Sequence, residues 1–152
     1  MQGIILNEDG YVTYLSRILP CIESEVKGLN WHVSNLECYS TSDAPIPFEV
    51  SGELLLSGEE FYDLITSHPD IQFVWGLFSG FPQSVDMERL KSRPSAEIRS
   101  EIPYMGKALC HIEPDAVLEI LAFDSSETHV LTDSEQIADK LRKAFPKAEP
   151  LP

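Results

Sequence analysis

With 25 acidic side chains against 11 basic ones in 152 residues, this chain carries a formal net charge of −14. Such a surface repels phosphate backbones and anionic lipid headgroups, so neither nucleic acid nor a membrane is an expected partner. The length suits a single domain over residues 1–152, and 43% hydrophobic with 24% charged residues is ordinary globular composition, which excludes a disordered chain.

In chain order, Ile4-Ile5-Leu6 predicts a short strand and Asn7-Glu-Asp-Gly10 a turn. Tyr11, Tyr14, Leu15, Ile18 and Leu19 recur at helical spacing, with Pro20 at or just beyond the end. Leu29–Val33 and Leu36–Tyr39 read as an antiparallel pair joined at Ser34-Asn35. Prolines at 45 and 47 make Ser42–Pro47 a loop, and Glu53–Leu56 is a further strand. Ser57-Gly-Glu-Glu60 has the form of a capping box, and Phe61, Leu64 and Ile65 mark one face of the helix it starts.

Ile71 to Phe78 is apolar at nearly every position, the pattern of a strand buried on both faces. Phe78-Ser-Gly-Phe-Pro82 reads as a turn. Residues 83–105 show little periodicity beyond a short helix over Asp86–Lys91, and residues 106–112 return to strand. Ala116–Phe123 and Thr128–Leu131 predict a hairpin across Asp124-Ser-Ser-Glu127. Thr132-Asp-Ser-Glu135 is a second capping-box pattern, ahead of the helical face Ile137, Ala138, Leu141, Ala144 and Phe145. Pro146 stops that helix, and residues 147–152 are expected to be a loose tail. The expected class is α+β, a mixed or mainly antiparallel sheet with about three helices packed on it.

The apolar run at the N-terminus is three residues long with no basic flank, and no stretch approaches the ~18 apolar residues of a membrane span. Cys21, Cys38 and Cys110 are odd in number and widely spaced, a poor disulfide framework. A reducing, cytoplasmic setting is the expectation.

Candidate chemistry is sparse. Cys110-His111 with Glu113 is the densest group of potential ligands, but it lacks the paired spacing of zinc sites, so no metal and no cofactor are expected. No G-x-S-x-G elbow occurs, and His32, His68, His111 and His129 sit in unrelated contexts. We expect no enzymatic activity.

Binding is the stronger reading. Residues 1–70 hold twelve Asp/Glu and two Lys/Arg, a net of −10, which leaves −4 for the remainder. Within that half, Glu49, Glu53, Glu60 and Asp63 are candidate partner-binding residues, because an acidic face speeds encounter with a basic protein. Phe78 and Phe81 are candidate anchors if their turn is exposed. The expectation is a non-catalytic domain that docks on a protein partner. The alternative is a small-ligand-binding domain or minor enzyme whose aromatic pocket draws on Trp31, Tyr39, Trp75 and His111.

Several segments carry a resemblance. They are Tyr14-Leu-Ser-Arg-Ile-Leu-Pro20, Asn30-Trp31, Gly52-Glu-Leu54 and Phe73-Val74 leading to Phe81-Pro82, with the strand-to-helix join from Thr128 to Leu141. Together they resemble a small family of bacterial α+β domains with no established active site. In general type the chain is similar to the immunity proteins of bacterial polymorphic toxin systems, small acidic domains that neutralise a toxin by occluding it. That resemblance implies a protein partner and no cofactor.

Overall fold

A computed structural model describes residues 1–7, 13–49, 52–94, 96–98, 102, 104 and 106–152. The elements in order are β1 (Gln2–Leu6), α1 (Leu15–Ile18), a 3₁₀ turn (Leu19–Ile22), α2 (Glu23–Lys27), β2 (Leu29–Ser40), β3 (Leu54–Ser57), α3 (Gly58–Thr66), β4 (Ile71–Pro82), α4 (Met87–Lys91), β5 (Leu118–Phe123), β6 (Glu127–Thr132), α5 (Glu135–Ala144) and β7 (Glu149–Pro150). Among the described residues one seven-stranded sheet of order β3-β2-β4-β5-β6-β1-β7 dominates, and every pairing in it is antiparallel. The class is α+β. Among the described residues no helix is long and apolar enough to cross a membrane.

The two-residue period of the strands divides the interior in two. Leu118, Ile120 and Ala122 of β5 and Val130 of β6 join Ile4, Trp31, Val33 and Phe73 against the helices, which contribute Leu15, Ile18, Val26, Phe61, Ile137 and Leu141. The alternate residues Leu121 and Leu131, with Leu77, form a second cluster on the other face. Ile98, Ile102, Tyr104 and Ile112 cover that second cluster, and they come from the long connection between α4 and β5.

Several local expectations are corrected. Ser34-Asn35 is no hairpin turn; it interrupts the register of one twelve-residue strand, with Asn35 at φ 56°. Asparagine tolerates this left-handed conformation, so the chain bulges instead of reversing. α1 ends at Ile18, and Pro20 is the second residue of the 3₁₀ turn that joins it to α2; Tyr11 lies outside the described residues. Phe78–Pro82 is not a turn but the second half of β4. Residues 106–112 form no strand. The tail is held: Glu149-Pro150 pairs with β1, the Leu151 amide donates to the Gly3 carbonyl, and Leu151 is buried in the second cluster.

The capping expectations divide. Ser57 caps α3 as a full box: its hydroxyl accepts from the Glu60 amide, and the Glu60 carboxylate accepts from the Ser57 amide. The cap of α5 is Ser134, not Thr132, and the Ser134 hydroxyl accepts from the Ile137 amide at 3.3 Å. Thr132 is still in β6, paired with Leu118 and Gln2. The predicted helix over 86–91 is α4, capped by Asp86 onto the Glu88 amide at 3.0 Å.

Candidate functional site

Glu49, Glu53, Glu60 and Asp63 are all exposed, as are Glu23 and Glu59. Period and capping explain the cluster on α3. With the Ser57 box fixing the start, Glu59, Glu60 and Asp63 share the outer stripe while Phe61 and Ile65 turn into the core. Gly58 allows the close approach beneath it: a Cβ there would stand 2.4 Å from the Val26 carbonyl oxygen of α2. That approach brings Lys27 within 3.2 Å of Glu59 and 2.9 Å of Glu23. The Glu23 carboxyl is held below its usual range, first by its hydrogen bond from Lys27. Bonds from the Ser57 backbone and hydroxyl do the same for Glu60.

These carboxylates are not equivalent. Glu60 completes a helix cap and Glu53 lies 2.9 Å from the buried His32 imidazole, so both have structural work. Glu49 and Asp63 stand at the surface on a loop and on the α3 stripe.

Phe78 and Phe81 are corrected outright. They are 1% and 0% exposed, because the segment that carries them is a central strand with both faces covered. Phe78 packs edge-on against Phe73, with centroids 5.0 Å apart, and belongs to the main core. Phe81 sits with Leu90 and Ala116 in a third small cluster. Neither ring is available to a partner. The aromatic pocket does not assemble either. Trp31 lies in the main core and donates its indole N–H to the Val26 carbonyl, Trp75 lies with the second cluster, and Tyr39 is exposed.

A group that sequence reasoning missed lies between the sheet and its irregular cover. Glu119, on the second face of β5, is 1% exposed. One carboxylate oxygen, Oε1, accepts from the Ser79 hydroxyl at 3.1 Å and the Glu113 amide at 2.8 Å. The other, Oε2, accepts from the Ile112 amide at 2.7 Å and faces His111 Nδ1 at 3.0 Å. His111 Nε2 lies 3.5 Å from Asp133, an ion-pair distance without hydrogen-bond geometry. Burial works against charge on this imidazole, but the bond to Glu119 and the charges of Glu119 and Asp133 outweigh it, and its pKa is raised. His111 is therefore held towards the imidazolium, which suits a strap better than a base.

Next to it, His129 bridges the Tyr104 hydroxyl and Glu127, each at 2.8 Å. Burial, then the charges of Glu119 and Glu127, push the Tyr104 phenol well above its ordinary range, so it stays a neutral donor. Glu113 is also raised, chiefly by burial. Asn35, at the bulge of β2, donates to the Ala96 carbonyl at 2.7 Å and fastens the start of the cover. Cys110, which precedes His111, is exposed, and among the described residues no three His, Cys, Asp or Glu side chains converge as a metal-ligand set. The one available signal for this group was the alternation of Glu119, Glu127 and His129 with apolar residues on β5 and β6.

Comparison with family models, with curated proteins and with solved structures gave no match to this chain.

Proposed function

We propose that this chain is a non-catalytic domain that binds a basic protein through the acidic surface of its N-terminal half. The observation that supports the reading most directly is the contrast between two sets of ionisable groups. Glu119, His111, His129 and Tyr104 are engaged in hydrogen bonds that hold the cover to the sheet, and Glu113 in one within the cover. Glu49, Glu59 and Asp63 stand at the surface in the half of the chain with a net charge of −10. A field of one sign steers an oppositely charged partner and raises its association rate. Occlusion of a basic toxin, as an immunity protein does, is the form of this activity that size, charge and composition favour.

The test is association kinetics with a candidate basic toxin domain at low and high salt. Reversal at Glu49 or Asp63 should slow association more than it speeds dissociation, and salt should weaken the effect, since exposed charges are screened beyond about 8 Å at physiological ionic strength. Glu53 and Glu60 are poorer probes, because their reversal also disturbs His32 and the α3 cap. Binding indifferent to salt and to both reversals would refute the acidic-face reading.

A further inference from the structure

Resting on that reading, we infer that the partner binds by adding an extended, basic segment to the outer edge of β3. The two ends of the sheet differ. At one end, β7 is two residues long and contains Pro150, which has no N–H to offer, next to Glu149. Short strands and proline are how edges are closed to further pairing. At the other end, β3 is terminal, paired among the described residues only with β2, and reads Leu54-Leu-Leu-Ser57 without proline or lysine. All three leucines are half-buried. Leu54 and Leu56 lean on the main core, while Leu55 lies opposite His32 on the second face.

A groove of about 250 Å³ adjoins this edge on the same side as Leu55. Leu55 and Ser57 form one wall, and Met87, Glu88 and Lys91 of α4 the other. Lys91 is paired with Glu88 at 2.6 Å, and Lys27 with Glu59 at 3.2 Å, so both cations are already matched by carboxylates. Exposed Glu53 precedes the strand and exposed Glu59 and Glu60 follow it. An incoming strand would lie about 4.8 Å from β3, with alternate side chains directed to the groove. Apolar residues at those positions would meet Leu55 and Met87, and lysine or arginine near its ends would meet the carboxylates. Self-pairing of two copies is disfavoured by the same charges, because it would set Glu53, Glu59 and Glu60 of one copy against those of the other. The occupant is therefore a basic segment of a different protein.

The experiment uses the full chain, labelled with ¹⁵N, and a synthetic peptide alternating lysine and valine. A second peptide of the same sequence is N-methylated at alternate backbone nitrogens, which removes hydrogen-bond donors and keeps the charge. Strand addition predicts that the first peptide slows exchange of the β3 amides directed away from β2 by about tenfold or more, that of Ser57 excepted because Glu60 already holds it, and that the methylated one does not. Leu55→Lys should abolish that protection; if this variant fails to fold, the methylated peptide remains the deciding arm. Equal effects of both peptides, or no protection of β3 by either, would overturn strand addition. Peptide shifts confined to the α3 carboxylates would overturn it too, while leaving the acidic-face reading to its own salt-dependence test.

Discussion

Replacing Glu119 by glutamine is a small change of shape with a large expected cost. The carboxylate accepts from four groups: Ser79 and the Glu113 amide on one oxygen, the Ile112 amide and His111 on the other. All lie where water does not substitute, since Glu119 is 1% exposed. A glutamine amide can satisfy one of these pairs with its oxygen. Its NH₂ must then face the other pair, where the Ser79 hydroxyl or a neutral His111 can turn to accept but the backbone amide, of Glu113 or Ile112, remains a donor against it. One buried backbone donor left unsatisfied costs roughly 1–3 kcal/mol, so a loss of about that size is expected. For a domain of this size that corresponds to a fall in Tm of roughly 3–10 °C. Urea titration followed by circular dichroism measures the first quantity, and a thermal scan the second. The same variant should lower the pKa of His111 towards its ordinary 6.5, because Glu119 is the main partner that raises it; an NMR pH titration reads this. A glutamine variant within about 0.5 kcal/mol of the parent, with His111 unmoved, would refute the four-donor account.

Ser57→Ala and Ser134→Ala should each lower stability by roughly 0.5–2 kcal/mol, because each removes the side-chain acceptor at a helix start; urea midpoints unchanged in both would contradict the capping geometry. The raised His111 pKa has a defined sign: folding takes up a proton, so its stabilisation is complete below pH 6.5 and is lost as pH rises through the folded value. Stability should therefore decline as pH climbs above 6.5, and His111→Asn should flatten that decline; parallel pH profiles for the two proteins would count against it.

Much of the fold was legible where local chemistry and tertiary packing agree. The β5–β6 hairpin, the capped start of α3, the short helix α4 and the buried first half of β4 all follow from pattern and from Ser57 and the run from Ile71. The failures have identifiable causes. Ser34-Asn35 has turn chemistry, but the same tolerance for positive φ serves a bulge, and only pairing with β4 decides between them. Phe78–Pro82 contains the turn-like Ser-Gly pair, yet it is a strand because β2 and β5 flank it. Thr132 and Ser134 both suit an N-cap; cross-strand pairing keeps Thr132 extended and passes the role to Ser134. Charge exposure at Glu49 and Asp63 was readable from composition, whereas the bonds that engage Glu53 and Glu60 required His32 and the helix start in space.

The Glu119 group was hidden for a deeper reason. Polar residues alternating with apolar ones on a strand ordinarily mean a solvated face. Here the second face is covered by a segment with almost no periodicity, so nothing local announces that Glu119 and His129 are interior. A cover without a regular ladder also has amides that lack strand or helix partners, and buried amides must be satisfied. Glu119 supplies acceptors to two consecutive ones, Ile112 and Glu113, and Asn35 fastens Ala96 at the other end. Burying a carboxylate costs several kcal/mol unless it is fully bonded. That cost makes the arrangement selective: a cover shifted by one residue would leave the charge and its donors unmatched. The polar interior thus specifies the path of the connection between α4 and β5, and α4 at its start forms the far wall of the groove beside β3. On this reasoning the buried network and the proposed binding edge are coupled through the position of α4.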